Sequence, residues 1–256
     1  MDSKRLDFLV VVLLLCLGGT IGFYFKLGNI LLGFFYLGIP SFYLLYRKKE
    51  NYKKIGWGLL IFGMLFGTIF DFIGTVNNAW SVPHPSFPQL SIGPWPIENI
   101  IGYLWMTLFI LVFYEHFLDR PNHKRLPRRH AKLFIFCMMV LGLVLLAYVM
   151  RPESIAISHF YLVTGFAAIV FPVVFAFYNP KIIEKFATLA FFFFFVWLFL
   201  ELIGIRNHDW MFPGTEFVGS VSLFNVSFPF EEVFFWFMWY PAVIVAYYER
   251  FIDDSR

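Results

Sequence analysis

With 256 residues, 60% of them hydrophobic, only 14% charged and a mean hydropathy of +0.72, the chain falls outside the soluble class, whose members carry about 25% charged residues. The net charge of +3 says little as a sum, because the basic residues are unevenly distributed along the chain. Two cysteines, Cys16 and Cys137, both inside apolar runs and without C-x-x-C spacing, exclude a disulfide framework or a thiolate metal site.

In chain order, eight apolar segments can be drawn near 8–25, 30–46, 55–73, 97–117, 133–150, 156–178, 186–205 and 230–248. Each is long enough to cross a hydrocarbon core of about 30 Å. Only helices or closed barrels satisfy their backbone in lipid, and these runs are too long and unbroken for barrel strands. The expected fold class is therefore all-α: a polytopic transmembrane bundle of seven or eight helices, without strands. MDSKR resembles the basic start of a signal peptide. The apolar run after it is long and ends in GGTIGFYF, so the first segment reads as a retained helix.

Orientation follows the Lys and Arg residues. Lys4 and Arg5 precede the first segment. Arg47, Lys48, Lys49, Lys53 and Lys54 fill the second connection, and Arg120, Lys124, Arg125, Arg128, Arg129 and Lys132 the fourth. With Lys181, Lys185, Arg250 and Arg256, this leaves only Lys26, Arg151 and Arg206 of the 20 basic residues for the other side. Both termini are expected to face the cytoplasm, with loops 74–95 and 206–228 opposite. The basic connections read as a topology signal, with membrane lipid as surroundings and no nucleic-acid partner.

A stretch of the chain occurs twice. DFIGTVNNAW (Asp71 to Trp80) is followed by a loop, PWPIEN and finally YEHFLD. ELIGIRNHDW (Glu201 to Trp210) is followed by a loop, FPFEE and finally YERFID. Acid, Gly, Asn, Trp and W-x-x-P (Pro83, Pro213) coincide without a gap. Two repeats of the same orientation are expected, 1–130 with core 55–119 and 131–256 with core 186–254, because four spans per half is an even number.

Both copies carry carboxylates beside long apolar runs, where they are costly without partners or work. Asp71 and Glu201 end their helices. Glu98 and Glu231 begin the next ones, where a Pro precedes them and the helix dipole offsets part of the cost of a charge. Glu232 follows Glu231 directly and points about 100° away from it, so the two cannot share one role. The first copy has Asn99 there, which makes the halves unequal. Glu231 is the expected acid and Glu98 its counterpart, with Asp71, Glu201 and Glu232 as partners or base. Trp80 and Trp210, matched between copies, are expected at the substrate with Asn77, Asn207 and Trp236. Glu115 and Glu249 are expected to pair with nearby basic residues. His84, His116, His123, His130, His159 and His208 are scattered, so no metal is expected. No Gly-rich phosphate loop is present, which removes the flavin and nucleotide folds.

The acid-x8-Trp-x-x-Pro block followed by Pro-x-Glu and an apolar helix, given twice, resembles the integral-membrane lycopene cyclase family. The likeness covers 55–119 and 186–254 well, and 1–30 and 130–155 weakly. Pro229 to Glu232 fits the family's pattern, whereas Pro96 to Asn99 departs at its second acid. The resemblance implies a non-redox isomerase without cofactor, in which an acid initiates cyclisation of the end of a linear polyene through a carbocation. It implies a polyene substrate drawn from the bilayer, and other carotenoid-pathway enzymes as partners. The residues suit that chemistry. A buried carboxylic acid keeps its proton, aromatic faces stabilise a cation by about 0.5 to 2 kcal/mol each, and a second carboxylate takes the proton off. Two alternatives stay open: an acid-initiated cyclase of another prenyl or meroterpenoid substrate, and a small proton-coupled lipid transporter.

Overall fold

The computed structural model describes residues 3–47, 51–119 and 126–253. Of the residues weighed above, Lys48, Lys49, Arg120, His123, Lys124, Arg125 and Arg256 lie outside these. Eight helices follow one another: α1 (Ser3–Tyr24), α2 (Asn29–Arg47), α3 (Tyr52–Val76), α4 (Asn99–Leu118), α5 (Arg129–Met150), α6 (Phe160–Tyr178), α7 (Ile182–Asn207) and α8 (232–253). The first 7 are long and apolar enough to cross a membrane. The eighth, which carries Trp236, Trp239, Tyr240 and Pro241, is of similar length and closely packed.

Two small hairpins correct the expectation of a strandless chain. In the first, β1 (Ser91–Ile92) pairs antiparallel with β2 (Trp95–Pro96) around Gly93, whose φ of +60° suits a residue without Cβ. In the second, β3 (Ser220–Leu223) pairs with β4 (Val226–Pro229), Leu223 opposite Val226. Phe224 and Asn225 between them both have positive φ, the geometry that matches a two-residue turn to strand twist. Both hairpins precede the helix that carries a Pro-x-Glu motif, so they aim its first turn.

Helices α3, α4, α7 and α8 form the centre. The α1–α2 pair packs on α4 and α7, and the α5–α6 pair on α3 and α8. Burial follows this order: α8 and α4 bury long runs such as Ala242–Ala246 and Thr107–Phe113, while α5 buries only Cys137. The outward face of α5, with Phe136, Met139, Leu143 and Val149 exposed, is apolar and finds no protein partner among the described residues. Within α3, Leu59–Phe66 is wound as a wide π-helical stretch. Such a turn takes up an extra residue. Lys54 stands 17 positions before Asp71, against 16 from Lys185 to Glu201, and the wide turn absorbs the difference.

The two lysines tie the ends of the central helices together. Lys54, 3% exposed, is ion-paired with Asp253 at the end of α8. Lys185 lies 3.7 Å from Asp119 after α4 and 2.8 Å from Glu249 on α8. Glu249 thus pairs with a base as expected; Glu115 accepts from Asn51 at 2.9 Å and from Tyr248 at 2.5 Å and lies near enough to Lys185 to interact with it electrostatically. Glu115, Asp119 and Asp253 bring ligand oxygens within 4.8 Å of one another, a grouping the sequence did not suggest, and the two lysines compensate its charge. Removing one member of a buried pair leaves the other uncompensated, at about 3–5 kcal/mol. Lys54→Met is expected to destabilise the detergent-solubilised protein by that order, and Lys54→Met with Asp253→Asn by clearly less, measured by thermal unfolding.

Candidate functional site

Helices α3 and α7 end in the same way. Asn78 and His208 adopt positive φ, and the next amide turns back to the carbonyl of Gly74 or Gly204, Ala79 at 2.9 Å and Asp209 at 2.8 Å. This left-handed closure satisfies carbonyls that the helix end leaves open. It also swings the following Trp back over the helix. Trp80 Nε1 donates to Asp71 Oδ1 at 2.6 Å and Trp210 Nε1 to Glu201 Oε1 at 2.7 Å. The indoles lie on Gly74 and Gly204, where a Cβ would overlap the Trp80 and Trp210 rings respectively. The acid, glycine and tryptophan of the repeated block therefore form one local unit.

The two units meet. Ser81 and Met211, one position past each Trp, exchange both backbone hydrogen bonds at 2.9 Å. Between them and the first turns of α4 and α8 lies a cavity of about 120 Å³. Asp71, Glu201 and Glu232 line it with Asn99, and so do the rings of Trp80, Trp210, Trp236, Phe70, Tyr103 and Tyr161. The rings interlock: Trp236 stacks on Tyr240 at 4.0 Å and lies parallel to Phe70 within 7°, and Trp80 meets Tyr161 edge-on at 5.3 Å.

The three carboxylates are held differently. Asp71 accepts from four donors: Trp80 and Tyr103 (3.3 Å) on one oxygen, Asn99 Nδ2 (2.8 Å) and Trp95 on the other. Glu201 accepts from Trp210 alone among the described contacts, and Glu232 from Tyr161 alone. Glu201 and Glu232 are near enough to interact electrostatically. Donors that saturate both oxygens stabilise a carboxylate as its anion. Neither glutamate has such a set.

Three pairs of expected site residues divide cleanly. Trp80 and Trp210 reach the cavity, with Trp236. Glu98 and Glu231 do not line it. Glu98 accepts the Phe87 N–H at 2.8 Å and Glu231 the Val218 N–H at 2.7 Å, so each anchors the loop that precedes its own helix. Asn77 and Asn207 are also displaced from the expected substrate contacts. Asn77 bonds Ile155 O at 3.0 Å and the Ile157 N–H at 2.6 Å between α5 and α6, and Asn207 bonds Gly22 O at 3.1 Å at the end of α1. Their amides tie helix ends to neighbouring backbone. Asn77 takes up both a carbonyl and an amide of the α5–α6 connection, and Asn207 adds a second donor to Gly22 O, which already accepts from the Leu27 N–H at 3.0 Å. Tyr103, Tyr161 and Phe70 were not anticipated. Tyr103 follows Asn99 by four positions on one face of α4, a signal the sequence does contain; Tyr161 comes from a distant helix and has none.

The chain matches no family model, no curated protein and no solved structure.

Among groups in the connecting loops, Asp209 is pushed up to about 7 by burial, against which its bond to Asn207 works. The folded chain thus keeps a proton that the unfolded chain loses above about pH 4. Stability should fall as pH rises from about 4 to 7 and level off above. Asp209→Asn is expected to flatten that part of the stability–pH profile. Gly204→Ala, which forces the Trp210 ring off its helix, is expected to cost about 1–3 kcal/mol, read as a lowered melting temperature.

Proposed function

We propose that this protein is a membrane-embedded isomerase that cyclises the end of a linear polyene, a carotenoid of the lycopene type, by proton addition and removal without a cofactor. The observation that carries the reading is the unequal treatment of three carboxylates around one aromatic cavity. Glu232, with Glu201 beside it, has few donors and serves as the proton source. Asp71, saturated by four donors, serves as the fixed anion. Proton transfer from Glu232 to the terminal alkene gives a cation, and an internal double bond supplies the electron pair that closes the ring. Asp71 then removes a proton to restore a double bond. One proton enters and one leaves, so the product is an isomer. Return of the proton from Asp71 to Glu232 completes the cycle. The faces of Trp236, Phe70, Trp80 and Tyr161 stabilise the cation and keep water away from it.

On this reading the chain crosses the bilayer as two halves of the same orientation. Ser81 and Met211 occupy equivalent positions and pair with each other, as expected where a two-fold axis passes between them. Cross-ties follow the same relation: Lys54 to Asp253 and Lys185 to Asp119, Asn77 to the α5–α6 connection and Asn207 to α1. The distribution of Lys and Arg puts both termini in the cytoplasm and loops 74–95 and 206–228 on the other side.

A second reading has one observation in its favour. Asn99 Oδ1 is buried without a hydrogen-bond partner, which favours a prenyl substrate that carries a hydroxyl near the reacting end. Feeding linear and hydroxylated prenyl chains to membranes separates the two. In a lycopene-accumulating host, the intact gene is expected to yield cyclic pigment. Glu232→Gln and Asp71→Asn are each expected to lower conversion about 10²-fold or more, while Glu231→Gln retains measurable conversion with reduced stability. An unchanged lycopene pool overturns the reading, and loss in Glu231→Gln alone moves the donor by one residue.

A further inference from the structure

The cavity is too small for a long chain. Its volume is about 120 Å³, enough for one end of a polyene. The remainder of the molecule must therefore leave the cavity somewhere, and the two halves differ in where they permit it.

Aligning Pro-Ile-Glu with Pro-Phe-Glu makes Gly102 on α4 the counterpart of Phe235 on α8, and Met106 that of Trp239. In the second half, Phe235 lies against Gly165 of α6, where a Cβ would overlap its ring, and only about 40 Å³ remains between α6 and α8. In the first half, Gly102 lines the cavity opposite Asn29 and Gly33 of α2. A Cβ there would meet nothing nearer than Asn29 Oδ1 at 3.9 Å. At the matched position an aromatic ring thus closes on α6 in one half and a glycine leaves room beside Asn29 in the other. Further along α2, Trp105 of α4 covers Gly33, where a Cβ would meet its ring at 3.1 Å, and so bounds the opening.

We propose that the hydrocarbon tail passes between α2 and α4 over Gly102, beside Asn29, into the bilayer, and that Phe235 closes the equivalent path, so the site is loaded from one side only. The identity of the tail rests on the cyclase reading; the existence of the opening does not. Gly102 then determines specificity: an end with a chain trailing from it fits only while position 102 has no bulky side chain.

The test uses full-length protein in liposomes, with Cys16→Ser and Cys137→Ala as background. Gly102→Cys is expected to react with a lipid-partitioning N-alkyl maleimide at least tenfold faster than Phe235→Cys, with equal labelling of both in denaturing detergent. Added lycopene is expected to slow the reaction at position 102. Modification of folded Gly102→Cys is expected to reduce conversion at least tenfold, as is Gly102→Phe. Equal labelling of the two positions, or conversion that survives modification, overturns the path even if the unmodified protein cyclises lycopene. Absence of cyclisation with a retained labelling contrast and protection keeps the path and strikes the reaction.

Discussion

The hydrogen bond from a tryptophan indole back to a carboxylate nine residues earlier organises the functional end of this molecule. It requires a helix that stops in a left-handed residue, a glycine that leaves room for the indole, and an acid one turn further back. Both α3 and α7 meet all three requirements, Asp71–Gly74–Asn78–Trp80 and Glu201–Gly204–His208–Trp210. The bond removes one of the costs of putting a carboxylate among apolar side chains. It also brings two indoles to the wall of a single cavity and lets Ser81 and Met211 join the two loops. Without this closure Glu201 would lose the donor from Trp210, Asp71 one of its four donors, and the two loops the junction that brings them together.

Near symmetry around that junction makes the departures from it informative. At the position where the second half has Glu232 the first has Asn99, whose amide gives Asp71 one of its four donors. A single substitution between the halves thus does two things: it completes the hydrogen bonding of one acid and leaves a pair of acids with one donor each in the other half. The difference of Gly102 and Phe235 likewise opens one flank and fills the other. Chemistry that needs a proton donor, a proton acceptor and one way in is better served by such a divided pair than by two identical halves.

At the opposite end of the bundle charge is handled differently. Lys54 and Lys185 reach across to Asp253 and Asp119, so the acids there are matched by bases, whereas those around the cavity are matched by tryptophan, tyrosine and asparagine. Neutral donors hold a carboxylate without cancelling its charge. That distinction separates the end where ion pairs fasten the helices from the end where the acids line a cavity.

The eight helices were legible in the sequence because runs of about twenty apolar residues have few other ways to satisfy their backbone. The repeated acid, glycine and tryptophan were legible too, since their spacing is local and each belongs to one helix end. Which glutamate of Glu231-Glu232 faces the cavity was not. Adjacent residues on a helix diverge by about 100°, and only the packing of α8 against α7 and α6 decides the direction of each. The partners of Asn77 and Asn207 were not legible for a related reason: the backbone groups they bond, at Ile155, Ile157 and Gly22, belong to segments far away in the chain. Composition and local spacing determined the elements and the pairing of acid with tryptophan. The tertiary structure decided which acids share a cavity, because that depends on how separate helices are rotated against one another.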